Sequence, residues 1–98
     1  MKEKIRVIVK RPGEQPETRT IPNTLEALQE LVGGYIETVT LAPGLVGIVN
    51  EEGFILDLPY NMDLHGNPIF GTLVIAGVVG EDFFDVPAVL AALITGVR

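Results

Sequence analysis

Apolar and polar residues alternate over Lys4–Lys10, where Ile5, Val7 and Val9 interleave with Arg6, Ile8 and Lys10. This two-residue period predicts a strand with one greasy face. Arg11-Pro12-Gly13 closes it as a turn, and Glu17–Ile21 alternates threonine with charge as the returning arm of a hairpin. The period then changes. Leu25, Leu28, Leu31 and Val32 recur at helical spacing, Asn23 with Glu26 forms a capping pair, and Gly33-Gly34 supplies a left-handed stop. Tyr35–Leu41 returns to alternation and Pro43-Gly44 turns it. Leu45–Asn50 and Phe54–Leu58 then flank Glu51-Glu52-Gly53 as the arms and tip of another hairpin. Pro59 stops that ladder, and residues 59–68 read as the longest irregular stretch. Phe70–Val79 is the most apolar run and the expected central strand. Gly71 and Gly77 within it mark a bulge, a bend or close contact with another backbone.

The tail has a different character. Asp85 and Pro87 mark a helix start, and Val86, Val89, Leu90, Leu93, Ile94 and Val97 then fall on one helical stripe. The opposite face is Ala88, Ala91, Ala92 and Thr95, with no charge before Arg98. A helix without a polar face has to hide both sides. Either this is a core helix of a small domain, or its alanine face is buried against a second copy, which the small residues let approach closely; a homo-oligomer is expected, with a dimer favoured. Val86, Ala88, Ala91, Ala92 and Thr95 are the interface candidates.

The element order predicts an α+β fold: a mostly antiparallel sheet of about five or six strands, with two helices covering one face. Ninety-eight residues suit a single domain spanning 1–98. No apolar run reaches the roughly 18 residues of a membrane span. The start lacks the apolar core of a signal peptide. The chain has no cysteine, which excludes disulfides, thiol catalysis and thiolate metal sites, and a cytoplasmic protein is the plain reading.

Charge sharpens this picture. Six of the seven basic residues lie within the first nineteen positions (Lys2, Lys4, Arg6, Lys10, Arg11, Arg19), and none occurs from Thr20 to Val97, where ten carboxylates fall. A phosphate, a nucleic-acid backbone or an anionic membrane would find cations only at the ends of the chain. No aromatic residue interleaves with the basic cluster, so neither nucleic acid nor membrane is an expected partner.

The string Thr24-Leu25-Glu26-Ala27-Leu28-Gln29-Glu30-Leu31-Val32-Gly33-Gly34-Tyr35-Ile36-Glu37 resembles the signature of a small family catalogued as a domain of unknown function. That family is carried by Gram-positive bacteria, their phages and mobile elements. Asn50-Glu51-Glu52-Gly53, Leu58-Pro59 with Asn61, and Ile69-Phe70-Gly71-Thr72-Leu73-Val74-Ile75 are similar to its later blocks in order and spacing. The resemblance covers nearly the whole chain and implies no activity. A host or phage protein is the partner expected besides a second copy, and the family's pattern implies an arginine after the asparagine at position 61, where this chain has Met62.

Candidate chemistry is sparse. His65 is the only histidine, and a metal or general-base site would need Asp63 or Asp57 to converge on it. Glu51-Glu52 reads as a solvated turn, and Glu81, Asp82 and Asp85 as charges placed before a helix dipole. No glycine spacing matches a phosphate loop, and no metal or cofactor is expected. Tyr60, Asn61, Met62 and His65 form the candidate ligand-facing cluster. The leading reading is a non-catalytic intracellular domain that binds a protein partner or itself. The alternative is a small-molecule-binding protein with a pocket near 59–68, and the third is an enzyme using Asp63 and His65. An acidic DNA mimic presenting Glu51 and Glu52 is a further variant of the binding reading.

Overall fold

Alternation makes β1 (Lys4–Lys10), and its pairing with β2 (Glu17–Pro22) sets Ile5 opposite Ile21 and Val7 opposite Arg19. The computed structural model describes residues 2–96. The most apolar run forms β7 (Leu73–Val79), which is central as expected, with β1 on one side and β4 (Leu45–Asn50) on the other. β3 (Ile36–Ala42) pairs with β4 and ends the sheet, in the order β2-β1-β7-β4-β3. A short β8 (Asp82–Phe84) lies against the second half of β7. Every pairing is antiparallel. The fold is α+β, with six strands in the main sheet and two helices.

Central strands that are apolar on both sides need cover on both sides. Ile5, Val7, Val9, Ile48 and Val74 face one core with Leu28 and Val32 of α1 (Leu25–Val32). Ile8, Val49, Leu73 and Ile75 face a second core. It is closed by α2 (Ala88–Thr95) and by a hairpin of β5 (Tyr60–Leu64) and β6 (Asn67–Phe70). The helices therefore sit on opposite faces, not on one. The alternation predicts a single greasy face on β1, but Ile8 on its other face is fully buried in the second core.

Three local expectations change for identifiable reasons. The cap of α1 is Thr24, whose hydroxyl accepts the Ala27 N–H at 3.1 Å. Asn23 is occupied elsewhere, donating to the Lys2 and Phe83 carbonyls and so tying the helix entry to the residues before β1 and to β8. Phe54–Leu58 is not a strand: consecutive turns run through it, with Leu56 N–H on the Glu52 carbonyl and Leu58 N–H on the Gly53 carbonyl. Finally, residues 59–68 are not irregular. They build the β5–β6 hairpin, whose two-residue turn places His65 and Gly66 at φ 51° and 80°, the backbone that a type I′ turn requires.

The last helix forms where expected, with one residue of each face, Leu90 and Ala91, turned inward. Ala91 is buried and Leu90 packs beside it on the second core, whereas Val89 and Leu93 are 73% and 75% exposed. With no polar contrast around the helix, periodicity carries no information about which side turns in. The small side chain of Ala91 allows close seating on the sheet, and Val86 is fully buried just before the helix. Val97 and Arg98 lie outside the described residues.

Asp85 does not cap α2, whose N-cap position is Pro87 and which has no side-chain cap. Its carboxylate instead accepts the Arg6 backbone N–H at 2.7 Å and the Lys2 ammonium at 2.5 Å, while Val86 N–H reaches the Arg6 carbonyl. It fills the gap where β1 and β7 part. The Lys2 bond first, then the Arg6 N–H, hold the Asp85 carboxyl below its ordinary range. A depressed carboxylate contributes stability above its unfolded pKa of about 3.9, lost as pH falls through the folded value. Asp85→Asn should therefore destabilise the fold by about 1 kcal/mol at neutral pH, the ion pair to half-exposed Lys2 adding little. Urea midpoints of variant and wild type should converge as pH falls through the depressed folded value.

Candidate functional site

The turn segment 51–57 is fastened at its base and open at its tip. Buried Asn50 donates from Nδ2 to the Val32 carbonyl at the end of α1 and accepts the Glu52 N–H on Oδ1 at 2.7 Å. Gly53 then presses on β6: a Cβ there would lie 2.5 Å from the Phe70 carbonyl oxygen. Only glycine permits this approach. The next side chains are consequently turned outward, leaving Phe54, Ile55 and Leu56 at 77%, 78% and 52% exposure.

These side chains border a built aromatic surface. The Phe54 ring meets Phe70 edge-on with centroids 5.4 Å apart, and Tyr60 meets the same ring at 5.9 Å. Tyr35, also exposed, lines a small recess with Leu56. Between the turn, the β3–β4 edge and β6 runs a groove of about 490 Å³, lined by Glu37, Val39, Glu51, Phe54, Asn67 and Phe70 among others. Its floor is apolar and its rim carries two carboxylates. Neither Glu37 nor Glu51 forms an ion pair among the described residues.

The residues singled out from the sequence do not converge. Tyr60 lies on the aromatic surface, and partial desolvation, followed by the nearby Asp63 carboxylate, raises its hydroxyl above the ordinary value, so it stays a neutral phenol. Asn61 is structural: Nδ2 donates to the Lys10 and Gly71 carbonyls, both at 2.8 Å, and Oδ1 accepts from the Lys10 ammonium at 3.1 Å. Met62 packs into the second core. His65 is exposed at the hairpin turn, where Asp63 is not its hydrogen-bond partner. No group of three His, Asp or Glu side chains suited to a metal occurs among the described residues. Of the interface candidates, Val86 and Ala91 are buried within the chain and Thr95 returns its hydroxyl to the Ala91 carbonyl. Ala92 is half-buried and Ala88 exposed.

The basic cluster is largely consumed internally. Lys2 holds Asp85 and lies 5.3 Å from the Phe84 ring, Arg6 donates to the Val86 carbonyl, and Arg11 pairs with Glu17. Lys10 serves Asn61 and the Arg11 carbonyl. Sequence reasoning missed Phe54, Ile55 and Leu56 because a short apolar run reads as buried. Its one signal was the placement between Gly53 and Leu58-Pro59, a span too short to return across the sheet.

A family model described as "Domain of unknown function (DUF3846)" matches residues 5–96. No curated protein and no solved structure gives a significant match. No helix among the described residues is long and apolar enough to cross a membrane.

Proposed function

This chain belongs to the DUF3846 family, and from that premise we propose that it is a non-catalytic binding module whose contact surface is the 51–57 turn with the groove beside it. The observation that carries this reading is three consecutive large apolar side chains, Phe54, Ile55 and Leu56, each more than half exposed on a firmly anchored turn. Scattered single apolar residues on a surface are ordinary, whereas a contiguous aromatic and aliphatic patch with a polar rim is the composition of an interface centre. The absence of cysteine suits work in the reducing cytoplasm.

The double variant Phe54→Ser/Leu56→Ser tests this. Both side chains are exposed, so the melting temperature should stay near that of wild type. Retention of proteins by the immobilised chain should fall at least about tenfold, as for interface anchors. Equal retention by both forms, or none by either, sinks the reading. A second copy is one form the partner takes in this proposal, and α2 offers Val89 and Leu93 for it. Light scattering of the same two samples separates self-association from capture of another protein.

A further inference from the structure

We infer, on the protein-binding reading above, that the free edge of β3 takes up an extended, basic segment of a partner protein as an added strand, its alternate side chains entering the groove. β3 is hydrogen-bonded on one side only, so about half of its N–H and C=O groups face outward along Ile36–Ala42. Exposed edges are usually blunted by proline, charge or a covering element. The opposite edge, β2, follows that rule, carrying Glu17 and Arg19 and ending at Pro22. β3 does not. It holds no proline and a single charge, Glu37, among β-branched residues that favour pairing. A bulge between Thr40 and Ala42 twists its far end but leaves Ile36–Thr40 in regular register.

Residues two apart along a strand share a face. Glu37 and Val39 both line the groove, so an added strand would set every second side chain over the same groove, against Phe54, Phe70 and Glu51. Charge chooses the occupant. Among the described residues the basic ones lie on or beside the β1–β2 hairpin, whereas β3 is three strand spacings beyond β1, about 14 Å and farther than the ~8–10 Å over which exposed charges are felt. Glu37 and Glu51 are thus carboxylates with no cation paired to them among the described residues. Lysine or arginine at alternate positions of an incoming strand supplies it. A second copy would bring its own acidic edge to this one.

The probe is a synthetic peptide of about ten residues, roughly two strand lengths, alternating lysine with valine, titrated against the full chain by fluorescence anisotropy and by amide hydrogen exchange. The expected result is saturable binding that slows exchange at Ile36–Thr40 and weakens on raising salt from about 0.05 to about 0.5 M. A peptide with glutamate for lysine, or one N-methylated along the edge meeting β3, should bind at least about tenfold more weakly, as should the parent peptide to Glu37→Gln/Glu51→Gln. Absence of binding, indifference to N-methylation, unchanged β3 exchange or equal binding of the acidic peptide each overturns the inference. So does a peptide-free dimer with protected β3 amides. Partner capture that depends on Phe54 and Leu56 while the peptide fails to bind would leave the protein-binding reading standing and remove this one alone.

Discussion

Gly77→Ala should lower stability by about 3 kcal/mol, near the upper end for overpacking, and the melting temperature by roughly 12–24 °C for a domain of this size. A Cβ at this position would lie 2.4 Å from the Asp85 carbonyl oxygen and 3.4 Å from that of Phe84. Both are backbone atoms, so no rotamer change relieves the contact. The strain has somewhere to spread, because Asp85 also closes the gap between β1 and β7 through the Arg6 N–H. Pushing it outward strains the segment that leads into α2. Gly77 carries no positive φ, so alanine itself is tolerated by the backbone and the loss is steric. Gly80 is the control: it sits at φ 62° with nothing within 4 Å, and Gly80→Ala should lose only about 1 kcal/mol of conformational preference. Urea titrations placing Gly77→Ala within 1 kcal/mol of wild type would show that β8 and Asp85 are not held as described.

Much of the frame was legible because its signals are local. The β1–β2 hairpin, the α1 stripe, the central β7 and the close approach at Gly77 all follow from period and glycine placement. What failed was information that a single strand or helix does not contain. The interior face of α2 could not be read, because Val89, Leu93 and Ala91 are all apolar and only the sheet decides among them. The β5–β6 hairpin was hidden by its composition. Proline and asparagine suggest a loop, yet Pro68 lies on a short two-stranded sheet where a missing donor is tolerated, and His65 accepts positive φ at the turn.

The site was less legible than the frame. Of the named ligand candidates only Tyr60 lies on the aromatic surface, and Phe70, the ring it shares with Phe54, had been assigned wholly to the central strand. That run divides at Gly71, with φ 89° and its N–H on the Pro59 carbonyl, so Phe70 belongs to the hairpin, half-buried and lining the groove. Glu37 became interesting only when its strand proved to be an edge, which is a fact of sheet order and not of the residue itself.

Asn61→Asp distinguishes the structural role of that residue from the ligand role its sequence context suggested. Expected is a loss of about 3 kcal/mol at neutral pH, two carbonyls each losing a donor. The amide gives its two protons to Lys10 and Gly71 at 2.8 Å, whereas a carboxylate of the same shape would turn an acceptor toward both. The Lys10 ammonium, already 3.1 Å from Oδ1, offsets part of this repulsion. The charged form is disfavoured in the fold, so the introduced carboxyl titrates above its unfolded value of about 3.9. The deficit should then be small in acid, where the protonated group can donate once, and grow as the pH rises past that value. The wild-type amide has no such dependence. Amide exchange should quicken first in β5 and β6, since these bonds bridge the hairpin to the end of β1 and to Gly71. A variant that melts like wild type at pH 7 and differs only in partner binding would return Asn61 to the contact surface and leave the hairpin's attachment to Met62, Leu64 and Ile69 alone.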